Sequence, residues 1–342
     1  MSVHLVVPGL LWPQDSLRET VQNLRLPALS AVLGRGERHY GPGKSLHTWL
    51  RSAFGLSDGE VPWGALRRRA ETESAGEGFW MCADPVHMRF VRDALVLVEG
   101  DEVGIEADEA HDLVAALNTH FADLGRFEAA TPQRWYLRVD AAPDLRTHAL
   151  EDVIGRNYAL FLPDGAQARR WRAMLNEAQM LLHAHERNAA REAAGKPTIN
   201  SVWLWGAGAP PTAVDTSFTA VFSDNPIVSG LAGAAGIAAD PLPHSATHVP
   251  DRAPGGKTLV VADGLQSPAL HLDAAAWRAE LARLEQDWFA PLLGELYSGR
   301  LRELRLSALG DDASVDIVLG SQDRWRFWRR PLGLADLDVA KI

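Results

Sequence analysis

Residues 3–12 read VHLVVPGLLW. A run rich in β-branched residues, stopped at Pro8-Gly9, is the pattern of a short buried strand ending in a turn. The pattern returns far along the chain in KTLVVADGL (257–265), LRELRLSAL (301–309) and SVDIVL (314–319). Helical stretches lie beside these strands. DSLRETVQNL (15–24) starts at Asp15 or Ser16 as a cap, and LPALSAVLGRG (26–36) closes on glycine. A long helix from cap Asp273 to Gly299 puts Trp277, Leu281, Leu284 and Trp288 on one side.

Between residues 78 and 199 the pattern changes. GFWMCAD (78–84) and DALVLVEG (93–100) read as two strands joined by PVHMRFVR, followed by an amphipathic helix from 106 and the strand RWYLRVDA (134–141). A single helix is expected over 165–194, capped by Asp164, with Arg169, Arg170 and Arg172 toward solvent. INSVWLWGAG then reads as a strand. Segment 57–78, with Arg67, Arg68 and Arg69 in a row, reads as a polar surface connection. The expected class is α/β: a core sheet flanked by helices, built from 1–77 and 200–342, interrupted by an inserted α+β domain over 78–199.

The 342 residues carry a formal net charge of −10, which argues against nucleic acid and anionic membranes as partners. Cys82 stands alone, so no internal disulfide forms and a reducing cytoplasm is expected. No basic segment precedes Leu5 and Pro8 interrupts the first apolar run, so no secretory leader is expected. Most of the 12 tryptophans stand at positions expected inside the core.

Several motifs fail their tests. GPGKS (41–45) lacks the first glycine of a phosphate loop, where Arg38 stands; Ser45 still opens a helix whose N–H groups suit an anion. H-E-x-x-H, C-x-x-C and G-x-S-x-G are absent. RWRFWRRPL (324–332) mixes arginine with aromatics. A last strand with exposed arginines and buried rings gives that string, and Arg329 with Arg330 also suits a phosphate.

LLHAHERNAAREAAGKPTINSVWLWGAG (181–208) resembles the archaeal-type, cofactor-independent phosphoglycerate mutases of the alkaline phosphatase superfamily. The matching positions are His185, Asn188, Arg191, Gly195, Lys196, Asn200, Leu204, Gly206 and Gly208, with Arg134 and His148 upstream. The whole chain further resembles a bacterial family of phosphoglycerate mutase-like proteins, also called RpfE-type regulatory proteins. The resemblance implies an alkaline-phosphatase-like core. It implies two divalent metals, manganese or zinc, held by Asp and His, and a serine that carries the phosphoryl group. It makes Arg134, His148, His185, Asn188, Arg191 and Asn200 candidates for substrate or anion binding, and Ser45 the catalytic nucleophile of an active enzyme.

The sequence departs from that pattern at the metals. The aspartate implied at the end of the first strand is replaced by Pro8, which has no ligand atom. Asp263, His271, Asp273, Asp311 and Asp312 do not reproduce the family spacing. The expectation is a cytoplasmic pseudoenzyme without cofactor or metal. It keeps an anion cleft and acts in binding or regulation, its partner a phosphorylated small molecule or a protein. The competing readings are an active mutase or phosphohydrolase that recruits those Asp and His residues around two metals, and a purely structural interaction protein.

Overall fold

Alternation along the first strand sets the architecture. In the computed structural model, which describes residues 1–56, 59–72, 78–91, 94–211, 214–249, 255–325 and 328–338, this strand (β1) spans Ser2–Pro8. The chain divides into two compact units, Met1–Gly55 with Asp215–Ile342, and Leu56–Val214.

The first unit holds a seven-stranded sheet, its strands numbered along the whole chain. Edge to edge it runs β2 (Glu37–Pro42), β12 (Ala313–Gly320), β11 (Glu303–Leu309), β1, β10 (Lys257–Val261), β8 (Ala220–Phe222) and β9 (Ala239–Asp240). From β11 to β9 all neighbours are parallel, whereas β12 and β2 are antiparallel additions. Val3, Leu5 and Val7 share a face with Leu304, Leu306, Ile317 and Val260. That face is buried beneath Leu29 and Val32 of the helix Pro27–Arg35 and Trp277 and Leu281 of the helix Ala274–Leu284. Each such aliphatic side chain contributes ~1.5–3 kcal/mol by leaving water.

The Asp273 carboxylate caps the helix Ala274–Leu284, accepting from the N–H groups of Ala275 and Ala276, both at 3.0 Å. A π-turn follows at Glu285–Phe289, before the helix Ala290–Ser298 ends at Gly299 with φ 83°. At the π-turn, the Glu285 carboxylate reaches across the core. It accepts from the Ala28 and Leu29 N–H groups at 2.6 and 3.0 Å. These are first-turn donors of the helix Pro27–Arg35, whose own N-cap residue, Leu26, has no side-chain oxygen to offer. A distant carboxylate thus satisfies them and meets the positive end of the helix dipole.

The second unit carries an antiparallel sheet ordered β4 (Ala94–Glu99), β3 (Phe79–Val91), β6 (Arg134–Val139) and β5 (Arg126–Thr131), with β7 (Ser201–Gly208) paired to β3 as well. One face buries Met81, Trp135, Leu137 and Leu204 against Leu113 and Leu117 of the helix Ala107–His120 and Trp171 and Leu175 of the helix Ala168–His183. The other face is met by the helix Trp63–Glu71, where a Cβ on Gly64 would fall 2.5 Å from the Met81 backbone. Among the described residues no helix is long and apolar enough to cross a membrane.

The α/β class and its flanking helices follow the expectation, but four local readings are corrected. Residues 85–91 of the expected connector PVHMRFVR lie within β3, because β3 exchanges one edge partner, β6, for another, β4, around Pro85, where a proline is tolerated; Arg92 lies outside the described residues. Of segment 57–78, residues 57–58 and 73–77 lie outside the described residues, and the part between is no surface connection but holds the helix Trp63–Glu71, with Arg67 and Arg68 buried. The helix expected over 165–194 breaks into Ala168–His183 and Glu186–Ala193, and Asp164 pairs with Arg146 rather than capping. The expected last strand is a 3₁₀ turn at Ser321–Trp325, with Trp325 and Trp328 exposed at 65% and 66%; Arg326 and Phe327 lie outside the described residues. The units divide at 55/56 and 214/215, not 77/78 and 199/200, since the helix Trp63–Glu71 and all of β7 pack with β3.

Glu285→Ala is expected to lower the unfolding free energy by about 2–4 kcal/mol, because two N–H groups lose their acceptor. Glu285→Gln, which keeps one acceptor, recovers part of it. Urea denaturation of both variants reads this; an unchanged midpoint in Glu285→Ala contradicts the capping role.

Candidate functional site

In a parallel sheet, ligands gather at the carboxyl ends of the strands. In the first unit that edge holds Pro8-Gly9 after β1, Ala262-Asp263 after β10 and Gly310 after β11. Gly9 has φ +75°, and a Cβ there would lie 2.6 Å from the Leu265 carbonyl oxygen. Its own carbonyl accepts the Trp277 indole N–H at 2.7 Å. On the other side of β1, a Cβ on Gly310 would lie 2.6 Å from the Leu11 carbonyl oxygen. Backbone therefore packs against backbone on both sides of the end of β1, next to Pro8, which offers no ligand atom.

The carboxylates nearby have other partners. Asp263 accepts from the Asn225 amide at 2.9 Å, and burial raises its pKa against that bond. Asn225 in turn caps the helix Pro226–Ala234 through the Ile227 N–H at 3.0 Å. Asp273 is spent as a helix cap. His271 Nδ1 lies 3.0 Å from the Ser267 carbonyl oxygen of its own turn. Asp311 and Asp312 are exposed on the loop after Gly310. Ser45 caps the helix Leu46–Ala53, accepting the Thr48 N–H at 3.3 Å, and the neighbouring Lys44 N–H donates to the Gly310 carbonyl. Among the described residues no group of three or more His, Cys, Asp or Glu side chains is placed to hold a metal ion. Two hard cations need several carboxylates between them, and the residues at this edge do not fit such a pair.

The sheet face opposite the apolar core holds a polar network that the sequence reading missed. Ser307 Oγ donates to Asp316 and accepts from His4 Nε2 at 2.8 Å and Trp49 Nε1 at 3.1 Å. Burial pushes His4 down to about 4, against the pull of Asp316, so the ring is neutral at pH 7. Ser307 uses its one proton and both lone pairs, which makes it a rivet between strands rather than a nucleophile. The signal was the alternation in β11, where Glu303, Arg305 and Ser307 share one face.

The second unit holds a larger cluster, also missed. Buried Arg67 donates to both Asp84 oxygens, at 3.0 and 2.5 Å, and through Nε to the Tyr136 hydroxyl at 2.9 Å. The Trp205 indole N–H reaches the same carboxylate at 2.8 Å, and Tyr136 donates to Glu71. Arg68 pairs with Glu128 and lies over the Trp80 ring at 3.7 Å. Burial opposes the Arg67 charge, yet Asp84, Cys82 and Tyr136 together hold its pKa above the ordinary value. Burial, helped by the charges of Asp84 and Asp152, pushes the Glu151 carboxyl up to about 7 against a bond to its own backbone and the charge of Arg67.

The residues implied by the resemblance have structural contacts. Asn188 donates to the carbonyls of Leu182 and Ile199, at 2.7 and 2.8 Å, and accepts the Ile199 N–H at 2.7 Å. Arg191, fully buried, donates to the carbonyls of Pro197, Gly104 and Val103 and to Glu109. Asn200 pairs with both backbone groups of Met88 in β3. His185 caps the helix Glu186–Ala193 through the Arg187 N–H at 3.1 Å. His148 stacks edge-on against Phe161, its ring centroid 5.2 Å away. Arg134 pairs with Glu71 while its side chain stays 37% exposed, so of these arginines it is the one with surface left for a ligand. Asn188 and Arg191 explain the broken helix: they fasten its joint to the strand that follows.

No protein-family model matches the chain. Over 149 residues, 42% of the chain, it is 30% identical to 2,3-bisphosphoglycerate-independent phosphoglycerate mutase 2 of Methanothermobacter thermautotrophicus, and covers 37% of that protein. Over 211 residues, 57% of the chain, it is 25% identical to the 2,3-bisphosphoglycerate-independent phosphoglycerate mutase of Methanosarcina acetivorans, and covers 51% of it. The chain thus spans about half or less of the length of these relatives. Among solved structures, the PH0037 protein from Pyrococcus horikoshii matches with a TM-score of 0.57 at 14% identity, over 98% of this chain and 91% of that one. That likeness concerns the fold.

An acid whose folded pKa stands above its unfolded value contributes stability that is complete below the unfolded pKa, about 4.3, and is lost as pH rises through the folded one. For Glu151 that loss begins at about pH 4.3 and is complete just above 7. The thermal midpoint of the wild type is expected to fall between about pH 4 and about pH 7, and Glu151→Gln to flatten the profile over that range. An equal slope in both proteins contradicts the shift.

Proposed function

We propose that this phosphoglycerate mutase-like chain is a pseudoenzyme: it keeps the α/β scaffold, lacks the two-metal centre and acts by binding, in a regulatory role. The carrying observation is the end of β1, where Pro8 offers no ligand atom and Gly9 is pressed on Leu265. A metal-bound phosphoryl transfer needs a nucleophile activated beside the cations and charge neutralised on the phosphate. Among the described residues the Ser45 hydroxyl lies 3.2 Å from the Thr48 hydroxyl and accepts the Thr48 N–H, and neither is a general base. The ligand class that fits the reading is a phosphorylated small molecule held by Arg134, whose pairing with Glu71 fixes the guanidinium at a half-open surface. The RpfE-type assignment and a cytoplasmic location belong to the same proposal.

Interconversion of 2- and 3-phosphoglycerate, assayed with manganese or zinc added, is expected to stay at the blank rate. A thermal-shift titration with 3-phosphoglycerate is expected to raise the midpoint of the wild type and not of Arg134→Gln. Turnover that disappears in Ser45→Ala overturns the pseudoenzyme reading. A midpoint unmoved by 3-phosphoglycerate overturns the binding role.

A further inference from the structure

The described residues of RWRFWRRPL do not form the strand that would explain its arginines as outward-facing alternates. Instead, Arg329 and Arg330 line a cavity of about 640 Å³ in the first unit. Its other walls are Gly34 and Gly36 at the end of the helix Pro27–Arg35, Arg38 and Tyr40 of the edge strand β2, and Leu332. We propose that this cavity is a binding site for a small oxyanion that also carries hydroxyl or amino groups, of the hydroxy-acid or phosphate-ester class.

Two guanidinium groups are held ready. Arg38 donates through Nη1 to the Leu33 and Gly34 carbonyls, and Arg329 through Nη1 to the Arg35 and Gly36 carbonyls, the latter at 3.1 and 3.4 Å. Both side chains are thereby anchored on the negative end of one helix. Capping that helix consumes one nitrogen of each arginine; among the described residues Nε and Nη2 of both remain uncommitted. Arg330 is exposed and makes no hydrogen bond or ion pair among the described residues. Three forks on one cavity suit bidentate recognition of a carboxylate or phosphate.

The cavity is built into the packing. Gly34 carries no side chain, and a Cβ there would collide with the Arg330 carbonyl oxygen, so the glycine lets the arginine segment lie against the helix. The Leu332 N–H fastens the segment to the Ser30 carbonyl at 2.9 Å. The carboxylates of Glu37, Asp336 and Asp338 complete the lining. Glu37 lies 3.7 Å from His39 and Asp336 lies 3.9 Å from Arg18, and among the described residues neither forms an ion pair with the three arginines. Acceptors beside an arginine trio select a ligand that brings donors with its anion, which a bare polyanion does not.

Isothermal titration of the full chain with L-malate and with glycerol 3-phosphate tests the site and separates a carboxylate from a phosphate ester. Binding of one or both is expected, weakened about fivefold to tenfold in Arg330→Gln, which removes an arginine with no structural contacts to lose. Arg169→Gln, an exposed arginine of the second unit, is expected to bind as the wild type does. No binding of either probe at millimolar concentration overturns the proposal, and so does equal affinity in Arg330→Gln and the wild type.

Discussion

The close approach of Gly9 to the Leu265 carbonyl fixes how the central strand of the first unit ends. β1 sits at the centre of the sheet, with β10 and β11 on either side, so its end is the place where a ligand would meet several strands at once. Here the backbone turns with φ +75°, its carbonyl takes the Trp277 indole N–H, and a neighbouring loop fills the space of a side chain. The same contact ties β1 to the helix that supplies Trp277 and, at its far end, the Glu285 carboxylate. Pro8, the residue before Gly9, stands where an aspartate is implied and offers no ligand atom.

The second unit shows that residues carrying a likeness to an enzyme family serve the packing of the fold. Asn188, Arg191 and Asn200 carry the resemblance, yet their polar atoms are bound to backbone groups of the same unit. A buried amide or guanidinium with all partners in place is costly to replace, because a substitution leaves several buried groups unsatisfied. The Arg67–Asp84–Tyr136–Trp205 cluster has the same character, with the added constraint that removing either charge strands the other in a buried setting.

The core was legible in the sequence where one periodicity ruled. VHLVV, KTLVV and LRELRLSAL gave strands, and Asp273 with Gly299 bounded a helical stretch as expected. Legibility failed where tertiary partners overrode local chemistry. Arg67 and Arg68 read as surface because the charges that bury them, Asp84 and Glu128, lie far along the chain. β3 read as two strands because Pro85 hides a change of partner. The edge strand β2 and the strand β5 have too few apolar residues to announce themselves. At the candidate site, the missing ligand at Pro8 was visible, whereas the crowding of Gly9 and the Ser307 network needed the register of three strands.

Crystals soaked in manganese chloride and measured at the manganese absorption edge test the central claim most directly. The account predicts no pair of anomalous peaks at the carboxyl ends of β1, β10 and β11. Two manganese ions bound beside Asp263 and the Asp311-Asp312 loop would contradict it.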